Sequence, residues 1–203
     1  MAATFQSLPE DILFAIFSKL RGRDLAAVRT ITKRSRKVAS KALYHIVLRI
    51  LRHSMANPIE LLAKMREADA VISGSAVLHA MDYQTFSPND LDIYVPSERV
   101  EIIGSFLVSS GFSLAPDRPL SGSPYSIRTL KEVRRYVINP SDAGDMPATE
   151  VNLLSTRARS PFIAIVNFDM TGLMNVITAR SLLSLYPLAI HHFSTIVARH
   201  LID

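Results

Sequence analysis

The chain has 203 residues, 48% of them hydrophobic and 20% charged, with no cysteine and a formal net charge of +5. This is the composition of a folded globular protein with room for one ordinary domain, or a small one plus a medium one. Disulfides and thiolate metal sites are excluded. Apolar runs such as residues 161–166 fall far short of the ~20 residues a spanning helix needs, and no basic stretch precedes an apolar run at the N-terminus. A soluble protein of the cytoplasm or nucleus, without a membrane partner, is expected. The charge is unevenly placed. Residues 1–53 carry 11 Lys/Arg against 3 Asp/Glu, a balance of +8, whereas residues 54–203 carry 12 against 15, a balance of −3. Such asymmetry points to two modules with different partners.

Pro9 stands where a first helical residue often stands, followed by Glu10 and Asp11 in the first turn. At about 100° per residue, Ile12, Leu13, Ile16, Phe17 and Leu20 fan over about 140°, and Phe14 widens the apolar arc to about 200°. A helix that apolar needs more than one surface to bury against. Arg21-Gly22-Arg23 breaks it, and Asp24 is expected to cap a second helix with Leu25, Val28 and Ile31 inward. A third helix follows, with Val38, Ala42, Ile46 and Ile50 on its apolar side. Three helices in about fifty residues form a marginal unit. Its spare apolar surface is covered either by the rest of the chain or by another protein.

Leu8-Pro9, Ile12-Leu13, Ile16-Phe17, Leu20, Leu25, Val28 and Lys33-Arg34 follow one another at the spacing of an F-box, and residues 7–44 resemble that family. Thr32 stands where the family commonly has Cys, and Ser35 where it commonly has Trp. The resemblance implies that Leu8, Pro9, Ile12, Leu13, Ile16, Phe17, Leu20, Leu25 and Val28 form or support a surface for a Skp-type adaptor. That adaptor links to a cullin ligase scaffold. The basic residues Arg34, Arg36, Lys37 and Lys41 also permit a nucleic-acid head. The third helix offers no Asn or Gln contacts for base edges, so nucleic acid is not the expected partner.

Asn57-Pro58 marks the expected boundary between an F-box at 5–53 and a second domain at 59–203. Beyond it helices and strands alternate: a helix from Ile59, a strand at 70–73, a helix from Ser75 to about Met81, a strand at 91–95, and a helix at 100–109 ending near Gly111. Residues 115–124 and 140–147 read as loops, and 126–138 suits either helix or strand. Residues 150–154 and 162–166 read as strands, and 171–178 as a helix capped by Asp169 with Met170 and Met174 in the core. The expected fold is therefore α+β, a small three-helix head followed by an α/β domain with a mixed sheet.

The chemistry-bearing pattern is Ser73-Gly74-Ser75 followed by Asn89-Asp90-Leu91-Asp92. On a strand Asp90 and Asp92 point the same way. Two adjacent carboxylates are tolerable when they share a divalent cation or face water, and Gly74-Ser75 at a strand-to-helix turn would offer N–H groups to phosphate. The same pattern is ordinary turn chemistry, with Asn89 or Asp90 capping a strand entry. Residues 60–178 resemble the nucleotidyltransferase superfamily in the order Gly-Ser, helix, Asp-x-Asp. The segments around 89–92 and 168–177 are similar to a group of uncharacterised fungal proteins. The resemblance implies metal on Asp90 and Asp92 and phosphate on Gly74 and Ser75, with Mg²⁺ as cofactor. The family's third carboxylate falls at Asn152, which is neutral, with Glu150 as the neighbouring substitute. His79, His191 and His192 lack partners at metal-ligand spacing, and Ser75 has no His/Asp system to make it a nucleophile. The expectation is a non-catalytic receptor with no cofactor, binding the adaptor through its head and an unknown protein target through its second domain. Metal-dependent nucleotidyl transfer is the alternative.

Overall fold

A computed structural model describes residues 7–81, 88–116, 128–138, 150–168 and 170–187, with Arg23 in its backbone only. The expected loop at 140–147, Asp169 and the pair His191-His192 lie outside the described residues, as does most of the loop expected at 115–124.

Three helices form the head: α1 (Glu10–Phe17), α2 (Gly22–Val28) and α3 (Lys33–Leu51). Pro9 is the N-cap of α1 rather than its first residue. Asp24 lies inside the first turn of α2, whose N-cap is Arg21, so its carboxylate acts on the helix dipole and not as the cap. Ile31 is 61% exposed because α2 stops at Val28 and leaves Ile31 in the turn. Leu13 and Phe17 of α1 and Leu25 of α2 pack against Val38, Ala39 and Ala42 of α3 in one cluster.

Asn57 caps α4 (Pro58–Ala68) by accepting from the Glu60 N–H at 3.3 Å, with Pro58 at its first position. The elements that follow are β1 (Val71–Ser73), α5 (Ser75–Ala80), β2 (Asp90–Pro96), α6 (Val100–Ser109), β3 (Ser113–Leu114), β4 (Leu130–Val137), β5 (Glu150–Thr156), α7 (Phe162–Ile165), β6 (Asn175–Ile177) and β7 (Leu182–Ser184). Among the described residues seven strands form one mixed sheet in the order β3-β4-β5-β2-β1-β6-β7, in which only β2 and β5 run parallel. Within the ambiguous segment 126–138, Leu130–Val137 is extended: β4 pairs along its length with β5, with a register shift between Leu130 and Glu132.

Two expectations fail here. Residues 162–165 are helical, not a strand, because Pro161 opens a single turn that presses Ala164 and Ile165 onto the sheet. A short apolar run carries no period that separates the two states. Residues 171–178 are not a helix. A 3-10 turn at Thr171–Leu173 leads into β6, whose residues are buried on both faces between β1 and β7. Met174 is in the core, but Met170 is 39% exposed.

The two faces of the sheet differ. On one, Ile72, Leu91, Ile93, Val95, Val151 and Leu153 join the helices in a cluster that runs without interruption into the head. The spare apolar surface of α3 is therefore covered by the chain itself. On the other face the alternate residues Val71, Tyr94, Leu154 and Val176 meet Ala164 and Ile165 of α7. That second cluster covers only one end of the face. The other end is polar.

Candidate functional site

The polar end is built by register. Ser73 of β1 lies beside Asp92 of β2, Asp92 beside Asn152 of β5, and Asn152 beside Arg135 of β4. Cross-strand partners share a face, so these four side chains form one row across four strands. The next row pairs Asp90 with Glu150. As expected from strand alternation, Asp90 and Asp92 point together, and Asn152 occupies the place opposite Asp92.

The Asn152 amide donates to Asp90 Oδ2 at 3.1 Å and to Asp92 Oδ1 at 3.0 Å. One neutral donor group therefore holds the two carboxylates, each bond being charge-assisted. Arg135, which no sequence pattern singled out, donates from Nη1 to Glu150 Oε2 at 3.4 Å. Only the β4–β5 register brings it here, so no local signal would have found it. Gly74 turns the chain from β1 into α5 with φ +83°, and a Cβ there would lie 2.8 Å from Asp92 Oδ2. The glycine is needed twice, for its left-handed backbone and for the close approach of the carboxylate. Ser73 Oγ donates to Asn175 O at 2.6 Å and fixes β1 to β6 beneath this turn.

Tyr94, two residues along from Asp92 on the same face, marks where the polar end stops. Burial pushes its hydroxyl well above the ordinary tyrosine range, and the nearby Asp92 and then Asp90 carboxylates push it further. The donor set does not fit the three-carboxylate metal centre of a nucleotidyltransferase. Asn152 supplies N–H donors between the two aspartates, and Glu150 is engaged by Arg135. Among the described residues no group of three or more His, Cys, Asp or Glu side chains is placed to hold a metal ion.

The head presents a second candidate surface. Leu13, Phe17 and Leu25 are at most 1% exposed and face inward, while Leu8, Leu20 and Val28 pack against the core edge. Of the nine residues implied as adaptor-facing, Pro9, Ile12 and Ile16 lie open on α1. Ile12 and Ile16 are one helical turn apart and each is 44% exposed. Four basic residues of α3 have partners within the head. Arg34 donates to Leu8 O, Lys37 pairs with Glu10 at 3.2 Å, and Lys41 stands 5.0 Å over the Phe14 ring. Arg36 reaches Arg29 O at 3.5 Å. Among the described residues no helix is long and apolar enough to cross a membrane.

No curated protein and no solved structure matches the chain. The likeness of residues 60–178 to nucleotidyltransferases therefore rests on the sequence motif alone. The model of the F-box-like family matches residues 5–57, the span that contains α1, α2 and α3. The helical head is an F-box-like domain.

Proposed function

We propose that this chain is the substrate-receptor subunit of an SCF-type cullin ubiquitin ligase. Its head binds the Skp-type adaptor, and its sheet domain holds a protein target. The reading is carried by the exposed pair Ile12 and Ile16 on α1, inside the segment that matches the F-box-like family. Two half-exposed large aliphatics one turn apart are an apolar stripe that a partner helix can cover. Full burial of such a side chain contributes ~1.5–3 kcal/mol. Leu13, Phe17 and Leu25 set the angle of α1 and α2 beneath that stripe; Pro9 lies beside it, and Leu8, Leu20 and Val28 edge it. A receptor of this kind catalyses nothing itself. It raises the effective concentration of its target at the ligase, in the cytoplasm or the nucleus. The test is adaptor binding by the purified chain and by Ile16→Asp. Binding lost in the variant with unchanged circular dichroism supports the interface; equal binding removes it.

A second reading is metal-dependent nucleotidyl transfer, favoured by the closeness of the Gly74-Ser75 turn to Asp92. In that reading Asp90 and Asp92 would hold Mg²⁺, and Gly74 and Ser75 would face phosphate. The Asn152 amide between the carboxylates weighs against it. Calorimetry with ATP and Mg²⁺ on the wild type and Asp92→Asn decides. Equal heats, or none in either protein, remove the reading.

A further inference from the structure

At the end of the sheet opposite the aspartates lies an open cavity of about 610 Å³. Arginines from three separate elements line it: Arg66 from α4, Arg159 from the loop after β5, and Arg180 from the β6–β7 turn. Phe162, half-buried, supplies apolar wall, and the buried Met65 and Val71 lie behind it. The volume lies in the range of pockets that seat a ligand or an anchoring side chain.

The three arginines are held out by structure that has other partners. Thr178 N and Thr178 Oγ1 both donate to Ser181 O, at 2.8 and 3.2 Å, and Thr178 Oγ1 accepts from the N–H groups of Arg180 and Ser181. That closed turn leaves the Arg180 side chain exposed. Upstream of Arg159, Arg157 N donates to Thr129 O at 3.0 Å and Arg157 Nε to Leu130 O at 2.9 Å, anchoring the loop to β4. Arg66 stands in the last turn of α4. Asp69 is the single acid among the lining residues, and it is already paired with Arg99. Among the described residues no carboxylate forms an ion pair with Arg66, Arg159 or Arg180. Three like charges converge on one cavity, in a part of the chain whose overall balance is −3. Such a site lowers its own repulsion by taking an anion.

We infer that this cavity binds an acidic segment of a protein, whose carboxylates meet Arg66, Arg159 and Arg180 while an apolar side chain enters beside Phe162. The balance of −3 over residues 54–203 favours a short acidic peptide over a nucleic acid, whose longer phosphate backbone would run beyond the basic cavity over a part of the chain with net negative charge. The inference rests on the receptor reading, for it supplies that receptor's target surface. The cavity itself is tested without the adaptor.

The experiment is fluorescence anisotropy of the full chain with a labelled Glu-rich peptide bearing one Leu and one Phe. Controls are its Gln-for-Glu counterpart, inorganic phosphate as competitor, and a DNA duplex. The Glu peptide binds, the Gln peptide binds at least ~10-fold more weakly, and added salt weakens binding. Arg159→Glu with Arg180→Glu lowers affinity ~100-fold, about tenfold for each lost charged contact. Lys33→Glu on the head changes nothing. Should the double reversal fail to fold, Arg159→Ala and Arg180→Ala must each still weaken binding several-fold. Equal affinity for the Gln peptide, indifference to these substitutions, or tighter binding of the duplex overturns the inference. So does competition by phosphate as strong as that of the unlabelled Glu peptide, which marks a small-anion site. Adaptor binding is measured on the same samples. Peptide binding without adaptor binding removes the receptor reading and keeps the cavity; the converse removes the cavity alone.

Discussion

Thr32 and Ser35 bond each other reciprocally at the start of α3. The Thr32 hydroxyl accepts from the Ser35 N–H at 3.0 Å, and the Ser35 hydroxyl accepts from the Thr32 N–H at 2.9 Å. These are the two positions at which the sequence leaves the F-box pattern. The departures are therefore one coupled feature, a capping box that satisfies two N–H groups at the helix entry. Ser35 is 1% exposed, so the place is closed as well as bonded.

Thr32→Ala removes one half of this box and destabilises the chain by ~1 kcal/mol, within a range of roughly 0.5–2. Ser35→Trp restores the commoner family residue, yet it costs more, ~1–3 kcal/mol, because the indole must enter a filled site. Urea unfolding midpoints of the two variants give the order. A Trp variant as stable as the wild type would show that α3 shifts freely against α1.

Ile16 and Leu13 lie on the same helix and separate binding from folding. Ile16→Asp leaves stability within ~0.5 kcal/mol, as expected for an exposed position, while abolishing adaptor binding. Leu13→Ala, at 1% exposure, costs ~2–5 kcal/mol. Thermal melts beside a pull-down on both variants check this. Loss of stability in Ile16→Asp equal to that in Leu13→Ala would place both residues in the core.

Asn152→Asp replaces the amide that joins Asp90 and Asp92 by a third carboxylate. The substitution loses two donated bonds and adds like charge, so it destabilises by ~1–3 kcal/mol at neutral pH. Mg²⁺ at millimolar concentration restores part of that loss and leaves the wild type unchanged, because a cation gains three oxygens only in the variant. Denaturant midpoints with Mg²⁺ and with chelator are the measurement. A Mg²⁺ response in the wild type would return metal binding to Asp90 and Asp92.

Tyr94 ties alkaline stability to the same sheet end. Its hydroxyl is held neutral in the fold by burial and by the two aspartates, so its folded value lies above its unfolded value of about 10. The folded state therefore keeps a proton that the unfolded state gives up. The contribution is complete below about pH 10 and is lost as pH rises beyond it. Tyr94→Phe flattens that fall between about pH 9 and 11. Unfolding midpoints across this window decide, and an unchanged slope in Tyr94→Phe would mean that other groups cause it.

The head was legible in the sequence because its information is local. The three helices and the F-box spacing rest on contacts within a few turns, where a period of 3.6 shows directly, although the break comes earlier than the expected residues 21–23, since Gly22 already opens α2. The shared orientation of Asp90 and Asp92 was legible for the same reason, through the period of two. Residues 162–166 and 171–178 were misread because each is short and apolar, and a buried turn and a buried strand then look alike. What only the tertiary structure decided depends on strand register. Arg135 reaches Glu150, Asn152 reaches both aspartates, and Arg66, Arg159 and Arg180 meet at one cavity across more than a hundred residues of chain. No local pattern encodes such meetings, because pairing between distant strands is set by the burial of both faces of the whole sheet.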